Sequence, residues 1–445
     1  MKNSTVAPFR AVRYNQKKNS DLSQVVAPPY DVIDEGQRDQ LYQKNPNNVV
    51  RLILTRDEDG AVLGGDKYEA AKRYLNEWQE TEILIRDSKP QIYLYHQSYT
   101  LKDGRKFTRK GFIALKKLES FENGKVKPHE YTFSGPKADR LNLIKATSTN
   151  LSPIFGIFSD ASREIEKLLE SSEKESLIDI KTEDGNRHQL WAVEDATVHE
   201  KLNQLMEPKT ILIADGHHRY ETALNYRDYL KSNPPLTPSP QGRDEVQNLT
   251  DYVMMYFCPM EDDGLIILPT HRVVTAPIAV SWEEAKAKLE PLFKIEEFSE
   301  SEKEKAFAEL KKYSKNDFAF LIGLKNQGLK LLSIPSSQLE KISELVSLQK
   351  PVRELDVTIL HQYLLPHIFK VESGKEYDAD KILYIKDAED ALNQVEQGKA
   401  SAAFILNPTK IKQVEAISEI GERMPQKSTF FYPKLLSGLL FNRLS

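Results

Sequence analysis

The short apolar run Thr210-Ile211-Leu212-Ile213-Ala214 passes directly into Asp215-Gly216, and Tyr220–Tyr226 then continues with helical spacing. A strand of this kind needs a sheet around it, and the helix that follows needs a face to cover. In immediate succession the two predict an α/β layer. The rest of the chain keeps to that mixed α/β (α+β) character. Tyr68–Thr81 sets Tyr68, Ala71, Tyr74, Leu75 and Trp78 on one helical face, and Gln91–Tyr99 alternates as a half-buried strand. Asp103-Gly104 then makes a turn and Arg109–Leu115 returns, which predicts a hairpin. His96 falls on a strand face there, a setting for packing rather than ligation. Ser152–Phe158 reads as a buried strand, and strands and helices continue to alternate from Trp282 onward.

At 445 residues the chain exceeds one ordinary core. The predicted division is an N-terminal α/β region over 1–115, a central domain over 116–278 carrying the strand–turn–helix, and a C-terminal α/β domain over 279–445. Lys231–Arg243 holds Pro234, Pro235, Pro238 and Pro240 among Ser, Thr and Gly, and is predicted as a mobile inserted loop. Lys and Arg total 62 against 66 Asp and Glu, so no strongly basic surface for sequence-independent nucleic-acid binding is expected. The one cysteine, Cys258, lies in the apolar run Tyr252–Cys258 and is read as a buried structural thiol. No stretch approaches the roughly 18 apolar residues of a membrane span, and Met1–Thr5 leads into charged sequence. A cytoplasmic protein is expected.

A strand that ends at Asp-Gly and opens a helix aims several backbone N–H groups at one point. The helix adds a partial positive charge there, so a phosphate or carboxylate is the expected guest. Gly216 permits a positive φ and close backbone approach. His218 and Arg219 can add charge-assisted donors, Arg suiting bidentate phosphate contact. Asp215 would repel phosphate, so it is assigned to a metal ion, a substrate hydroxyl or a neighbouring histidine. The competing readings are an ordinary turn with capping histidines, and a zinc site. Adjacent histidines on a helix diverge by about 100°, which disfavours zinc.

Along its length the chain resembles the bacterial and archaeal family catalogued as domain of unknown function ten-fifteen. The resemblance rests on Ala27–Ile33, Pro128-His129-Glu130 with Asp139-Arg140, Ala214–Tyr220, Pro269–Arg272, and Met424–Thr429 with Tyr432-Pro433-Lys434. Its Asp-Gly-His-His-Arg box is similar to the nucleotide-phosphate box of the ParB/sulfiredoxin superfamily. Free-serine kinases belong to that superfamily and resemble this chain in a Gly-x-His-Arg box and an upstream glutamate. The resemblance implies a ParB/sulfiredoxin-like central domain that binds ATP or ADP with Mg²⁺. The sulfiredoxin cysteine is replaced by His217, which argues against sulfinic-acid reduction.

Phosphoryl transfer requires a phosphate clamp and a group that orients or deprotonates the acceptor hydroxyl. The implied clamp is Gly216 with His217, His218 and Arg219. Glu130 is the implied base, with His129 on phosphate or orienting Glu130, and Asp215 holds acceptor or metal. Arg140, His271, Arg272, Tyr30 and Asp31 are secondary candidates for substrate contact, each equally readable as a structural group. Lys427-Ser428-Thr429 lacks the glycine-rich loop of a Walker motif. The function expected is a nucleotide-dependent kinase acting on a small-molecule hydroxyl, free L-serine first. The alternatives are a nucleotide-binding or nucleotide-hydrolysing regulator, and a ParB-like DNA-associated protein, which the acidic net charge disfavours.

Overall fold

The computed structural model describes residues 4–122, 124–131, 134–233, 249–313, 317–371 and 381–444. The chain forms two compact units. The first comprises Met1–Lys127, Thr132–Ile266 and Pro433–Ser445, the second Pro128–Tyr131 and Ile267–Tyr432. The expected cut at 115 falls inside a strand, Lys106–Lys117, and the cut at 278 lies past Ile266. The proline-rich insertion expected from 231 to 243 lies, from 234 on, outside the described residues.

The first unit is built on a mixed sheet. Its strands are β1 (Val6–Ala7), β2 (Ile92–Thr100), β3 (Lys106–Lys117), β4 (Val126–Lys127), β5 (Ile154–Phe158), β6 (Ile178–Lys181), β7 (Arg187–Val193), β8 (Ile211–Asp215) and β9 (Tyr252–Pro259). They run in the order β4-β8-β5-β9-β3-β2-β7-β6, with β1 added beside β3. The hairpin β2–β3 is antiparallel and its turn glycine, Gly104, has φ 85°. Strand β9 is apolar and buried almost throughout because it has a partner on each edge, β3 antiparallel and β5 parallel. Cys258 lies in it, fully buried, its thiol pushed well up by burial.

Helix α1 (Lys67–Glu80) starts where Asp66 accepts the N–H groups of Tyr68 and Glu69, and it buries Ala70, Ala71, Leu75 and Trp78. Three further helices matter here: α2 (Ser134–Thr147), α3 (Ala196–Met206) and α4 (His217–Ser232). Leu202 and Met206 of α3 and Tyr220 and Ala223 of α4 join Ile92, Phe112, Ile154 and Ile213 of the sheet in one core. That burial fixes α4 directly after β8. His96 is buried in β2 with its ring 4.9 Å from that of Trp191, and burial lowers it to about 4, so it is a neutral packing group.

The second unit has a six-stranded antiparallel sheet: β10 (His271–Val274), β11 (Lys294–Phe298), β12 (Asp317–Leu324), β13 (Leu329–Pro335), β14 (Ile382–Ile385) and β15 (Ala402–Leu406). The order is β11-β13-β12-β15-β10-β14. Helices α5 (Lys303–Lys312) and α6 (Ala388–Glu396) pack Ala306, Leu310, Leu392 and Val395 on Leu321, Leu331 and Ile405. A π-helix, Leu360–Ile368, carries His361. No helix among the described residues is long and apolar enough to cross a membrane.

Candidate functional site

The predicted strand–turn–helix is present. Strand β8 pairs with β5 through Leu212 and Ile213, then its register shifts before Asp215, a bulge that re-aims the strand end. Gly216 follows at φ 92°, ψ 29°, the left-handed conformation a glycine takes without cost, and α4 begins at His217. Arg219 Nη2 donates to Asp215 Oδ2 at 2.6 Å, and Nη1 donates to the Pro153 carbonyl. Lys434 Nζ engages the other oxygen, Asp215 Oδ1. All three side chains are largely buried, at 12%, 12% and 14% exposure. A Cβ at residue 216 would stand 3.0 Å from the Arg219 guanidinium, so glycine also makes room for this pair. His217 is buried and His218 half-buried.

A second cationic group in the same unit involves Tyr30 and α2. The Arg140 guanidinium lies 4.2 Å over the Tyr30 ring, donates through Nη1 to the Ile53 carbonyl at 2.8 Å, and donates through Nε to Asp139 at 2.9 Å. Lys67 also reaches Asp139, at 3.3 Å. Burial works to raise the Asp139 carboxyl, but the adjacent Arg140 and Lys67 charges prevail and lower it. Burial, then Asp31, pushes the Tyr30 hydroxyl up to about 12, with Arg140 and Arg219 pulling the other way. Asp31 itself is exposed. Four cations, Lys67, Arg140, Arg219 and Lys434, thus stand with three carboxylates, Asp31, Asp139 and Asp215, an excess of one positive charge. A cavity of about 60 Å³ is lined by Tyr30, Arg140 and Arg219.

His129 and Glu130 belong to the second unit. Met424 donates its N–H to the His129 carbonyl at 2.7 Å, which brings the Lys427–Thr429 turn alongside. Thr429 donates to Glu130 Oε1 twice, from its backbone N–H at 3.1 Å and its hydroxyl at 2.9 Å. The fully buried His129 places Nε2 at 2.8 Å from the same hydroxyl and 3.5 Å from Glu130. His271 and Arg272 open β10. Both are buried in a strand paired on both edges. Arg272 donates to His361 Nε2 at 3.1 Å, to the Lys427 carbonyl at 3.1 Å and to the Thr270 carbonyl. Burial lowers its guanidinium to about 10. His271 Nδ1 accepts the Leu406 N–H at 3.2 Å.

The candidates therefore separate. Tyr30, Asp31, Arg140, Asp215, Gly216, His217, His218 and Arg219 lie in the first unit, His129, Glu130, His271 and Arg272 in the second. Lys434, Thr429 and His361 were not singled out as site residues by pattern. Lys434 meets Asp215 across 219 positions of sequence and Thr429 meets Glu130 across 299, separations that leave no periodic trace. Asp215, assigned to a metal or an acceptor, is engaged by two cations. No three His, Cys, Asp or Glu side chains among the described residues are grouped to hold a metal ion. The residues of the first unit's centre set Arg140, Arg219 and Lys434 beside the glycine turn. They fit an anion, through the excess positive charge and the glycine turn.

Several solved structures are similar to this chain at low identity and low TM-score. A free serine kinase variant in complex with AMP is 13% identical, with 69% of this chain and 84% of that chain covered and a TM-score of 0.33. SbnI with C-terminal truncation from Staphylococcus aureus is 11% identical, with 73% and 85% covered and a TM-score of 0.35. A conserved hypothetical protein from Pyrococcus furiosus is 17% identical, with 72% and 92% covered and a TM-score of 0.32. No curated protein matches the chain. A family model described as protein of unknown function (DUF1015) matches residues 6–358.

Proposed function

The chain belongs to the DUF1015 family of proteins of unknown function, and from that premise we propose that it is a nucleotide-dependent kinase acting on the hydroxyl of a small molecule. The observation that carries this reading is the Gly216 turn at the start of α4, beside Arg219 and Lys434 and an excess of positive charge. ATP or ADP is the proposed donor, its phosphates met by the turn, His217, His218, Arg219 and Lys434, and Mg²⁺ arrives with the nucleotide. In the transfer, the acceptor oxygen bonds to phosphorus as the bond from phosphorus to the bridging oxygen breaks. The hydroxyl proton passes to Glu130, the proposed base, and the shortened nucleotide leaves. Arg140, with Tyr30, is proposed on the acceptor side. Free L-serine is the first acceptor to test, on the motif-level resemblance to free-serine kinases.

A second reading has its own support. Both Thr429 donors converge on one Glu130 oxygen, with His129 near, as in a group that holds a fold together. On that reading the protein binds or hydrolyses nucleotide and acts as a regulator. The test incubates the full chain with ATP or ADP, Mg²⁺ and a panel of hydroxylated acids and amino acids, following phosphorus by NMR. A phosphorylated acceptor is expected. Nucleotide binding without any transferred phosphate would leave the regulator reading standing. Glu130→Gln refines the outcome: turnover should fall about 10²–10⁴-fold with nucleotide affinity unchanged.

A further inference from the structure

The cavity beside the turn has a wall chemistry that discriminates among acceptors. Its volume of about 60 Å³, at roughly 10–15 Å³ per water, admits on the order of five waters. That suits a molecule of serine size and is too small for a nucleotide. One side is apolar, formed by Ile53, Leu143 and Ile154 among others. Polar groups on the wall are Tyr30, Asn150, Ser152, Arg140, Arg219, Thr222 and Thr149, whose hydroxyl donates to the Thr147 carbonyl at 2.8 Å. Asn150 is tied to Asn442 at 2.9 Å and to the Met254 N–H at 3.2 Å, and Ser152 to Ser437 at 2.6 Å.

Thr222 differs. It is 3% exposed, and its hydroxyl has no hydrogen-bond partner among the described residues. A buried, unpaired hydroxyl is costly, and a native fold that keeps one calls for an explanation. The two guanidiniums retain N–H groups as well, since each has five and Arg140 and Arg219 use only some of them on Asp139, Ile53, Asp215 and Pro153. None of the described residues lining the cavity is acidic. Asp139 and Asp215, which pair these arginines, are not among them.

Resting on the kinase reading only for the word acceptor, we infer that this cavity takes a small hydroxy acid, a carboxylate without an ammonium group, and that the Thr222 hydroxyl is one of its hydrogen-bond partners. A carboxylate meets two guanidiniums. An amino acid would bring an ammonium group into a wall that has two like charges and no acid to receive it, and this is unfavourable in a partly desolvated site. The apolar side covers the short carbon stem. A guest that reaches the Thr222 hydroxyl supplies the partner it lacks in the free protein.

The probes are glycerate and serine, which differ at one carbon, hydroxyl against ammonium. Binding is measured by calorimetry on the full chain without nucleotide, so the outcome does not depend on phosphoryl transfer. Glycerate is expected to bind about tenfold or more tightly than serine, a difference of about 1.4 kcal/mol. Thr222→Val, which keeps the shape and removes the hydroxyl, should weaken glycerate about five- to tenfold. It should leave nucleotide affinity unchanged and the free protein no less stable, and Thr222→Ser should restore binding. Serine binding as well as glycerate, or neither binding, overturns the inference. Equal glycerate affinity in Thr222→Val removes Thr222 from it. Glycerate binding with no phosphorylation of any acceptor sinks the kinase reading and leaves this one intact.

Discussion

The dipeptide His-Arg occurs at 218–219 in the first unit and at 271–272 in the second, and the two arginines do opposite things. Arg272 has no exposed surface, and it donates to uncharged acceptors: two carbonyls and an imidazole nitrogen. It joins three separated pieces of chain, the Thr270 turn, the π-helix at His361 and the Lys427 turn. Arg219 is 12% exposed, shares a carboxylate with Lys434 and stands on a cavity wall. An arginine becomes a binding group when the fold leaves its guanidinium donors facing a space. Where its donors are spent on backbone carbonyls and a packed ring, the same charge serves as a strut.

The widest separation should come from removing each charge in turn. Arg272→Met leaves the Thr270 and Lys427 carbonyls and His361 without their donor. The second unit should lose about 3 kcal/mol or more of unfolding free energy. Trp282 reports that unit, whereas Trp78 and Trp191 report the first. Arg219→Met should cost about 1 kcal/mol in stability but weaken nucleotide binding about ten- to a hundredfold. A destabilised first unit with a tolerant second would erase the distinction.

Acid gives the next largest effect. Burial lowers His361 to about 3 and His271 to about 4, and each accepts a hydrogen bond while neutral. In the unfolded chain both titrate near 6.5. Between the folded and unfolded values the unfolded state holds more protons, so stability falls as pH drops below about 6.5 and is fully lost only near the folded values. From pH 7 to pH 5 each such histidine should cost about 2 kcal/mol. His361→Gln keeps an acceptor for Arg272 and should remove one histidine's share of that slope, seen as converging urea midpoints at the two pH values. An unchanged slope would mean that His361 does not titrate on unfolding. His96 and His188, also lowered to about 4, make the first unit acid-labile too, so the discriminating quantity is the change in slope at Trp282.

Gly216→Ala tests the open centre at smaller scale. A side chain at φ 92° is strained by about 1–2 kcal/mol, and the added Cβ crowds the Arg219 guanidinium. Melting should shift accordingly and nucleotide affinity should fall about tenfold. Full affinity in a destabilised variant would detach the turn from the phosphate. This turn was legible from sequence because everything that makes it is local: an apolar strand, a glycine and helical spacing within a few residues. The hairpin at Gly104 and the buried β9 were legible for the same reason. What the chain did not disclose is which distant groups complete each centre. Lys434 owes its place to the return of the last residues to the first unit, and Thr429 to the pairing of Met424 with His129 in the second. The burial of His271-Arg272 was not legible either, because it comes from pairing by β14 and β15, strands that lie more than a hundred residues further along the chain.

The smallest effect probes whether Arg272 holds strain in place. Lys427 adopts φ 54° although it is not glycine, and its carbonyl is the one Arg272 grips through Nη2. A left-handed lysine costs about 1–2 kcal/mol, and glycine there gives back about 0.5–1 kcal/mol of that relief in unfolded-chain entropy. Lys427→Gly should therefore stabilise the second unit by roughly 0.5 kcal/mol, with nucleotide affinity untouched because the side chain is exposed. If Arg272 is what imposes the conformation, the gain should vanish when Lys427→Gly is made on the Arg272→Met background, a coupling that a double-mutant cycle reads directly. Strain of the same size with and without Arg272 would place its origin in the Pro425–Thr429 turn itself, where Ser428 Oγ already closes on the Pro425 carbonyl at 2.5 Å. In that case Arg272 follows the turn and does not shape it, and the strut role narrows to His361 and Thr270.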